Sequence, residues 1–494
     1  MLRPTLTHRR AADYRRPGGP WDGPTLDGLR WAQRDPVPAR VAALAGALRA
    51  GGARRGDVVA WQLPNGEEAR LLYLACWRLG ATAAPLHALA GRADVERGLE
   101  TLSPRVTITD GSEVELLLAT GAQPVHEPAA RPGDVAVVLF TSGSTGTPKA
   151  ALHTHRGLAW KARLMTSVHG LGPDDAVLMP APLAHISGLL NGCLLPRAAR
   201  MRAVFMARWD PEHALRLIER ERITFMIGPP TFFVDLMAHS GFARDRVASL
   251  RLISSGGAGV TSAFVDEATD AFDCTVKRTY GSTEAPTVTT SHRGDPPERA
   301  RATDGRATGD VELRVDRGSG ELLLRGPELF VGYIDVEQTL AAHTRGGWFR
   351  TGDLASIDDG WLTVVGRVKD VIIRGGENIA AAEVESVLEA HPAVRQAVAV
   401  GRPDARLGER VVAFVVTSAP FDLTECRTWF AARGARPHLP HLPHRSLNDP
   451  GGPDHPDRSE NGWGVHVRGC CRPPRRAGGA AGRCGRGDRP RRRT

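Results

Sequence analysis

The sequence predicts an α/β protein: a large layered N-terminal domain of β-sheets and flanking helices, a small incomplete α+β C-terminal domain, and a disordered tail. Three observations predict it. Strand-like and helix-like hydrophobic patterns alternate from residue 41 onward, as in sheets covered by helices. An apolar run over 135–140 leads into Thr141-Ser142-Gly143-Ser144-Thr145-Gly146-Thr147-Pro148-Lys149, a Gly- and hydroxyl-rich loop closed by a lysine. After about Gly434 the periodicity stops.

Its 494 residues can bury a large core in more than one domain. No apolar stretch approaches a membrane span, and residues 1–22 lack the apolar core of a signal peptide, so a soluble cytoplasmic protein is expected. Seven cysteines, odd in number and scattered, argue against a disulfide framework; Cys76, Cys193 and Cys274 read as small core residues. The net charge of +9 does not mark a nucleic-acid binder. Thirteen arginines against five acidic residues fall in 435–494, which leaves the body near neutral.

Residues 1–35 are rich in Pro, Arg and Gly and carry little signal. Helical spacing over 41–48, a turn and strand over 55–63, a helix over 68–79 and an apolar stretch at 81–86 give the first alternation. Residues 135–140 read as a buried strand. In the loop that follows, glycines let backbone N–H groups turn toward one point while hydroxyls and an ammonium add donors. A polyphosphate suits that donor set, with Lys149 as a mobile point charge. The spacing differs from the P-loop of nucleoside triphosphatases. A flexible Ser/Gly linker would need neither a core strand before it nor a proline-fixed lysine.

Residues 140–149 resemble the phosphate-loop signature of the adenylate-forming superfamily, which includes acyl- and aryl-CoA synthetases, luciferases and peptide-synthetase adenylation domains. That family activates a carboxylate with ATP as an acyl-adenylate, and many members then pass the acyl group to a thiol. The resemblance implies mixed β-sheets in a large AMP-binding domain over 36–368 and a small C-terminal domain over 369–434. It also shows a departure. Members carry a strand hairpin before the first helix, whereas this chain passes from Trp31 to Val41 through a few polar residues, which would expose a sheet edge.

Beyond the loop, 151–165 read as a helix and 174–179 as a strand ending in the proline-flanked stretch 180–189, which holds His185. The resemblance puts His185 near the acyl carboxylate and the incoming thiol. Asp210 and Pro211 read as N-cap and first position of a helix over 212–222 with Ala214, Leu215, Leu217 and Ile218 inward. A strand over 223–227, a turn over 228–231, a strand over 250–254, a glycine turn over 255–259 and a helix over 261–272 follow. By resemblance, Gly257 and Ala258 lie against the adenine. Thr279-Tyr280-Gly281-Ser282-Thr283-Glu284 combines a ring for stacking, hydroxyls for phosphate and a carboxylate for a cation. The resemblance gives Tyr280 the adenine, Thr283 the α-phosphate and Glu284 the Mg²⁺, with Gly281 and Ser282 between. Asp353, after a Gly-Trp-Phe-Arg-Thr-Gly run, can accept from both ribose hydroxyls, and Arg367 can donate to ribose or phosphate. An exposed Asp–Arg ion pair is the bland alternative.

By resemblance the two domains pivot at Lys369, and Gly375, Gly376 and Glu377 border the tunnel for the CoA arm. A helix over 381–390 and short strands over 397–400 and 410–416 complete the small domain. The family closes it with a loop ending in a lysine that bridges carboxylate and α-phosphate, yet no lysine follows Lys369. The tail 435–494 holds three leucines, two valines and one tryptophan, a composition that predicts disorder and suggests translation in a shifted frame. The expectation is therefore an acyl-CoA synthetase-like enzyme using ATP, Mg²⁺, CoA and a carboxylic acid, its adenylation weakened. A peptide-synthetase-type adenylation domain and an impaired ATP- or acyl-adenylate-binding remnant are the alternatives, with oligomeric state open, a homodimer included. Apolar residues Ile186, Leu189 and Phe232, with Thr231 and Ala258, suggest an uncharged acyl or cyclic group.

Overall fold

The computed structural model describes Leu26 and residues 37–141, 148–257, 259–374, 377–404, 406–419, 421–432 and 467–469. The chain divides into two compact units, Met1–Lys369 and Asp370–Thr494.

Two sheets build the first unit. In one, β1 (Val58–Trp61), β2 (Thr82–Pro85), β3 (Val106–Ile108) and β4 (Val135–Thr141) run parallel in the order β3-β1-β2-β4. Next to β4 lies antiparallel β5 (Lys149–Thr154), and Gly332–Tyr333 pairs along its far side. Every residue of β1 and β2 is buried, as expected where helices cover a parallel sheet. The helices Val37–Ala50 and Glu67–Leu79 supply much of that cover through Leu44, Leu48, Leu71, Leu72 and Trp77. The Tyr73 ring packs between Trp61 and Trp77 at centroid distances of 4.8 and 5.4 Å.

The second sheet has eleven strands. Its parallel half contains β6 (Ala176–Met179), β7 (Arg202–Phe205), β8 (Phe225–Gly228), β9 (Leu252–Gly256) and β10 (Thr275–Tyr280), ordered β7-β6-β8-β9-β10. Antiparallel strands then continue it through Thr289–Thr290 and Arg306–Ala307 to the hairpin of Phe349–Asp358 with Trp361–Arg367. A Cβ on Gly256 would lie 2.2 Å from the Thr279 carbonyl oxygen, so β9 and β10 need a bare backbone there. Both sheets are mixed, as expected.

Local expectations fared unevenly. The helix Pro211–Glu221 starts at Asp210, whose side chain accepts from the His213 N–H at 2.6 Å, and buries the four residues assigned to its inner face. By contrast, 151–154 are strand, not helix. Antiparallel pairing with β4 wins there, and the helix begins at His155, capped by the Thr154 hydroxyl. Nor is 228–231 a plain turn, because Pro230 takes the first position of a helix, Pro230–Ala238. The stretch 180–189 turns helical at Ile186, and a helical run continues to Ala199. Cys76 and Cys193 are core residues, and burial pushes the Cys193 thiol up to about 12. Of the stretch from Trp31 to Val41, where the hairpin departure falls, residues 31–36 lie outside the described residues and the rest is helical.

In the second unit, Val371–Arg374 forms a hairpin with Glu377–Ala380 and joins Gly408–Thr417, which pairs with Val394–Asp404. These last two strands are longer than the sequence pattern suggested. The helices Ala381–Glu389 and Leu423–Ala432 contribute Val384, Leu388, Cys426 and Phe430 to a small core. Within the tail, Val467–Gly469 pairs parallel with Gly408–Thr417; other residues past 432 lie outside the described residues.

Candidate active site

Parallel strands aim their carboxyl ends the same way, so the loops after β6, β8, β9 and β10 gather along one edge of the second sheet. Side chains from β5 and Gly332–Tyr333 of the first sheet meet that edge.

The β4–β5 hairpin sets Thr141 opposite Lys149. Between them, Ser142, Gly143, Ser144, Thr145 and Gly146 lie outside the described residues. Lys149 Nζ stands 5.2 Å from the centroid of the Tyr333 ring. The Tyr333 hydroxyl donates to Glu284 Oε1 at 2.6 Å, and burial with the adjacent carboxylate raises its pKa above the usual phenol value. The Phe330 N–H donates to the Glu284 carbonyl at 2.8 Å. One residue earlier, the Thr283 carbonyl sits 2.7 Å from His153 Nε2, and since a carbonyl can only accept, that nitrogen carries the proton. Burial lowers the His153 pKa to about 4, which keeps the ring neutral.

Tyr280, at the end of β10, donates from its hydroxyl to Asp353 Oδ2 at 2.6 Å. Asp353 faces Arg367 across the neighbouring hairpin, with Arg367 Nε 3.1 Å from Oδ1. Asp353 is 6% exposed while the Arg367 side chain is largely exposed, so the pair is buried on its carboxylate side and open to water on its guanidinium side. Burial, with Asp353 second, drives the Tyr280 pKa well up. Gly281 begins the tight turn between these groups; a Cβ there would lie 2.5 Å from the Thr287 nitrogen. Ser282 closes the turn, donating its N–H to the Ala285 carbonyl at 3.0 Å. Gly257 holds φ +80°, a conformation suited to glycine, whereas Ala258 lies outside the described residues.

His185 ends the loop after β6. Asn65 staples that loop by donating to the Ala181 carbonyl (2.8 Å) and accepting from the Leu183 N–H (2.7 Å), and the Tyr73 hydroxyl donates to the Leu183 carbonyl at 2.7 Å. A Cβ on Gly188 would lie 2.0 Å from the Pro182 oxygen, so the turn closes only on glycine. The His185 ring packs 5.1 Å from His87, which follows β2. His185 keeps an exposed face, and the desolvation of its packed side, then His87, hold its pKa below the usual 6.5. Of the suggested acyl-side residues, Leu189 is fully buried in the core, while Phe232 stacks on Trp209 at 4.4 Å.

Lys369 lies in the short turn Val368–Asp370, at the division between the units. Gly375 and Gly376 lie outside the described residues, and Glu377 opens the strand facing Arg374. Among the described residues, no three His, Cys, Asp or Glu side chains cluster as a metal site. Glu284 keeps its second carboxylate oxygen, which fits a magnesium ion carried largely by substrate phosphates and water. Sequence reasoning missed Tyr333, His153 and His87. The alternation Lys149-Ala151-His153 would have shown His153 beside the lysine once the segment was taken as a strand.

A family model described as AMP-binding enzyme matches residues 35–334, and the AMP-binding enzyme C-terminal domain matches 383–440. A feruloyl-CoA synthase from Amycolatopsis sp is 34% identical over 421 residues, covering 80% of this chain and 86% of that one. A medium-chain fatty-acid–CoA ligase from Escherichia coli (strain K12) is 31% identical over 427 residues, covering 76% and 75%. Among solved structures, ATP-bound MatB from Rhodopseudomonas palustris superposes with a TM-score of 0.76 at 28% identity, over 83% of this chain and 90% of that one. The o-succinylbenzoate CoA synthetase (MenE) from Bacillus subtilis, holding its acyl-adenylate intermediate, gives 0.73 at 28%, over 82% and 87%. Fold and site thus define an adenylate-forming enzyme. The chain belongs to the AMP-binding enzyme family, and its activity is that of an AMP-forming acid–thiol ligase.

Proposed function

We propose that this ligase activates an uncharged carboxylic acid with an apolar or cyclic body, and that the clustered residues divide the work as follows. Thr141, the loop 142–146 and Lys149 hold the outer phosphates of ATP. The Tyr280 ring stacks on adenine beside Gly257 and Ala258, Asp353 accepts from the ribose hydroxyls, and Arg367 donates to ribose or phosphate. Thr283 donates to the α-phosphate, in the turn begun by Gly281 and Ser282. Glu284, steadied by Tyr333, would hold Mg²⁺, which when bound offsets phosphate charge.

An oxygen of the substrate carboxylate attacks the α-phosphorus, the bond to the bridging oxygen breaks, and pyrophosphate leaves. The CoA thiol then attacks the acyl carbonyl, the bond to the AMP oxygen breaks, and thioester and AMP form. Neutral His185 lies beside that carbonyl. The pivot at Lys369 and the CoA path along Gly375, Gly376 and Glu377 belong to this second step.

The observation that carries the reading is the Lys149–Tyr333–Glu284 chain of contacts, set within one turn of the Tyr280–Asp353–Arg367 group. The test is carboxylate-dependent exchange of labelled pyrophosphate into ATP; ATP binding without exchange would sink the reading. Because no lysine follows Lys369, adenylation is expected to run on the order of a hundred- to a thousandfold slower than with a closing lysine. Thioester formation from supplied acyl-adenylate and CoA bypasses that step and should be much faster than the overall reaction.

A further inference from the structure

Lys161 is one of four lysines in a chain that otherwise uses arginine, and no role in the reaction has been given to it. It lies on the helix His155–His169 and is fully buried. Its ammonium reaches the Thr287 carbonyl at 3.1 Å, the Thr308 hydroxyl at 3.2 Å and Glu328 Oε1 at 3.3 Å. Three donors thus meet three oxygens, a demand a compact ammonium satisfies and a flat guanidinium does not.

Both of its outer contacts lead back to one residue. Thr287 sits three positions after Glu284 and holds φ +42°, a left-handed conformation that a β-branched residue keeps only under constraint. Glu328 sits two positions before Phe330, whose N–H binds the Glu284 carbonyl. Lys161, Thr287, Glu284, Phe330 and Glu328 therefore close a ring of bonds and short chain segments around the turn that carries Thr283 and Glu284. The Lys161–Glu328 pair is the sole charged link in that ring.

We propose that Lys161 is a positioning residue for adenylation: its buried ammonium, paired with Glu328, holds the Thr287 backbone and so fixes how Thr283 and Glu284 face the nucleotide. The inference rests on the nucleotide reading of that turn.

Replacing one member of a buried ion pair destabilises strongly, whereas replacing both with apolar residues is often neutral. The Thr287 carbonyl also keeps a bond from the Thr308 hydroxyl at 2.7 Å, so it is not orphaned when the lysine goes. The full-length Lys161→Met/Glu328→Leu chain is therefore the decisive variant, with Lys161→Met beside it. Thermal midpoint, pyrophosphate-exchange rate and the KM values for ATP and for the acid are measured on each. The double variant should melt within a few degrees of the unmodified chain. It should nevertheless exchange about ten- to a hundredfold more slowly, as expected for losing a charged hydrogen bond, with the acid KM within about twofold. Full exchange activity in that stable double variant overturns the proposal and leaves Lys161 a packing residue. Should neither variant keep its fold, the proposal is overturned in favour of a purely structural lysine. Absence of ATP binding by the unmodified chain would instead remove the nucleotide reading itself.

Discussion

Tyr333 stands between an ammonium and a carboxylate, so its hydroxyl fixes which Glu284 oxygen stays available. Tyr333→Phe keeps the ring beneath Lys149 and removes that one bond. Exchange should drop about tenfold, and the magnesium concentration for half-maximal rate should rise, because the freed carboxylate samples more orientations. Unchanged magnesium dependence would contradict the assignment. His185 gives a prediction of opposite kind. Desolvation of its packed side and then His87 lower its pKa, so the neutral ring persists somewhat below pH 6.5 before it protonates. If the thioester step needs a neutral ring, its rate stays level from pH 8 to 6.5 and declines at an acid pH below the ordinary histidine midpoint. In His87→Phe the decline should move toward higher pH, as read from the pH profile of thioester formation. At this scale, residues that short chemically distinctive runs single out do meet in contacts, Lys149 and Glu284 through Tyr333, and Tyr280 and Arg367 through Asp353. Tyr333, His87 and His153 were not legible in the sequence, since each becomes informative through a partner far away in sequence, as His153 does with Thr283.

Strand order, more than any single motif, assembles the site. Elements with strong local signals were readable, such as the Asp210-capped helix Pro211–Glu221. Asp210→Ala should cost about 1 kcal/mol in chemical denaturation without altering exchange, since it removes a cap and nothing at the cleft. Elements decided by pairing were misread. Residues 151–154 carry a helix-compatible pattern, yet β4 offers them an antiparallel ladder broken only by an irregularity between Val135 and Val137. The helical run from Ile186 was hidden for a different reason, since it depends on Gly188 closing against Pro182. Gly188→Ala forces that turn apart, so thioester formation should fall sharply while ATP affinity, set elsewhere on the edge, changes little. Equal losses in both measurements would show that the loop and the nucleotide groups are not separate.

Across the whole molecule, three buried histidines couple stability to acid. His153, His155 and His169 have pKa values lowered by burial to about 4, 4 and 3. In the unfolded chain each binds a proton near 6.5, so the unfolded state gains protons first as pH falls. Stability is full above pH 6.5 and is lost as pH falls from there toward 4 for His153 and His155 and toward 3 for His169, by about 1.4 kcal/mol per pH unit for each ring. The melting temperature should be level between pH 7.5 and 8.5 and lower by roughly 5–10 °C at pH 5.5. A His169→Phe chain should show a shallower slope. The alternation of α and β patterns made the layered architecture legible at this scale, whereas which sheet each strand joins is a matter of long-range pairing that local pattern does not encode. The two sheets of the first unit are tied across their shared edge by His153 to Thr283, Tyr333 to Glu284 and Phe330 to Glu284. Those cross-braces make the seam a fixed gauge: prying the sheets apart would strip Glu284 of its bonds to Tyr333 and Phe330. A redesign of this edge should therefore trim exposed side chains and leave the braced strands untouched.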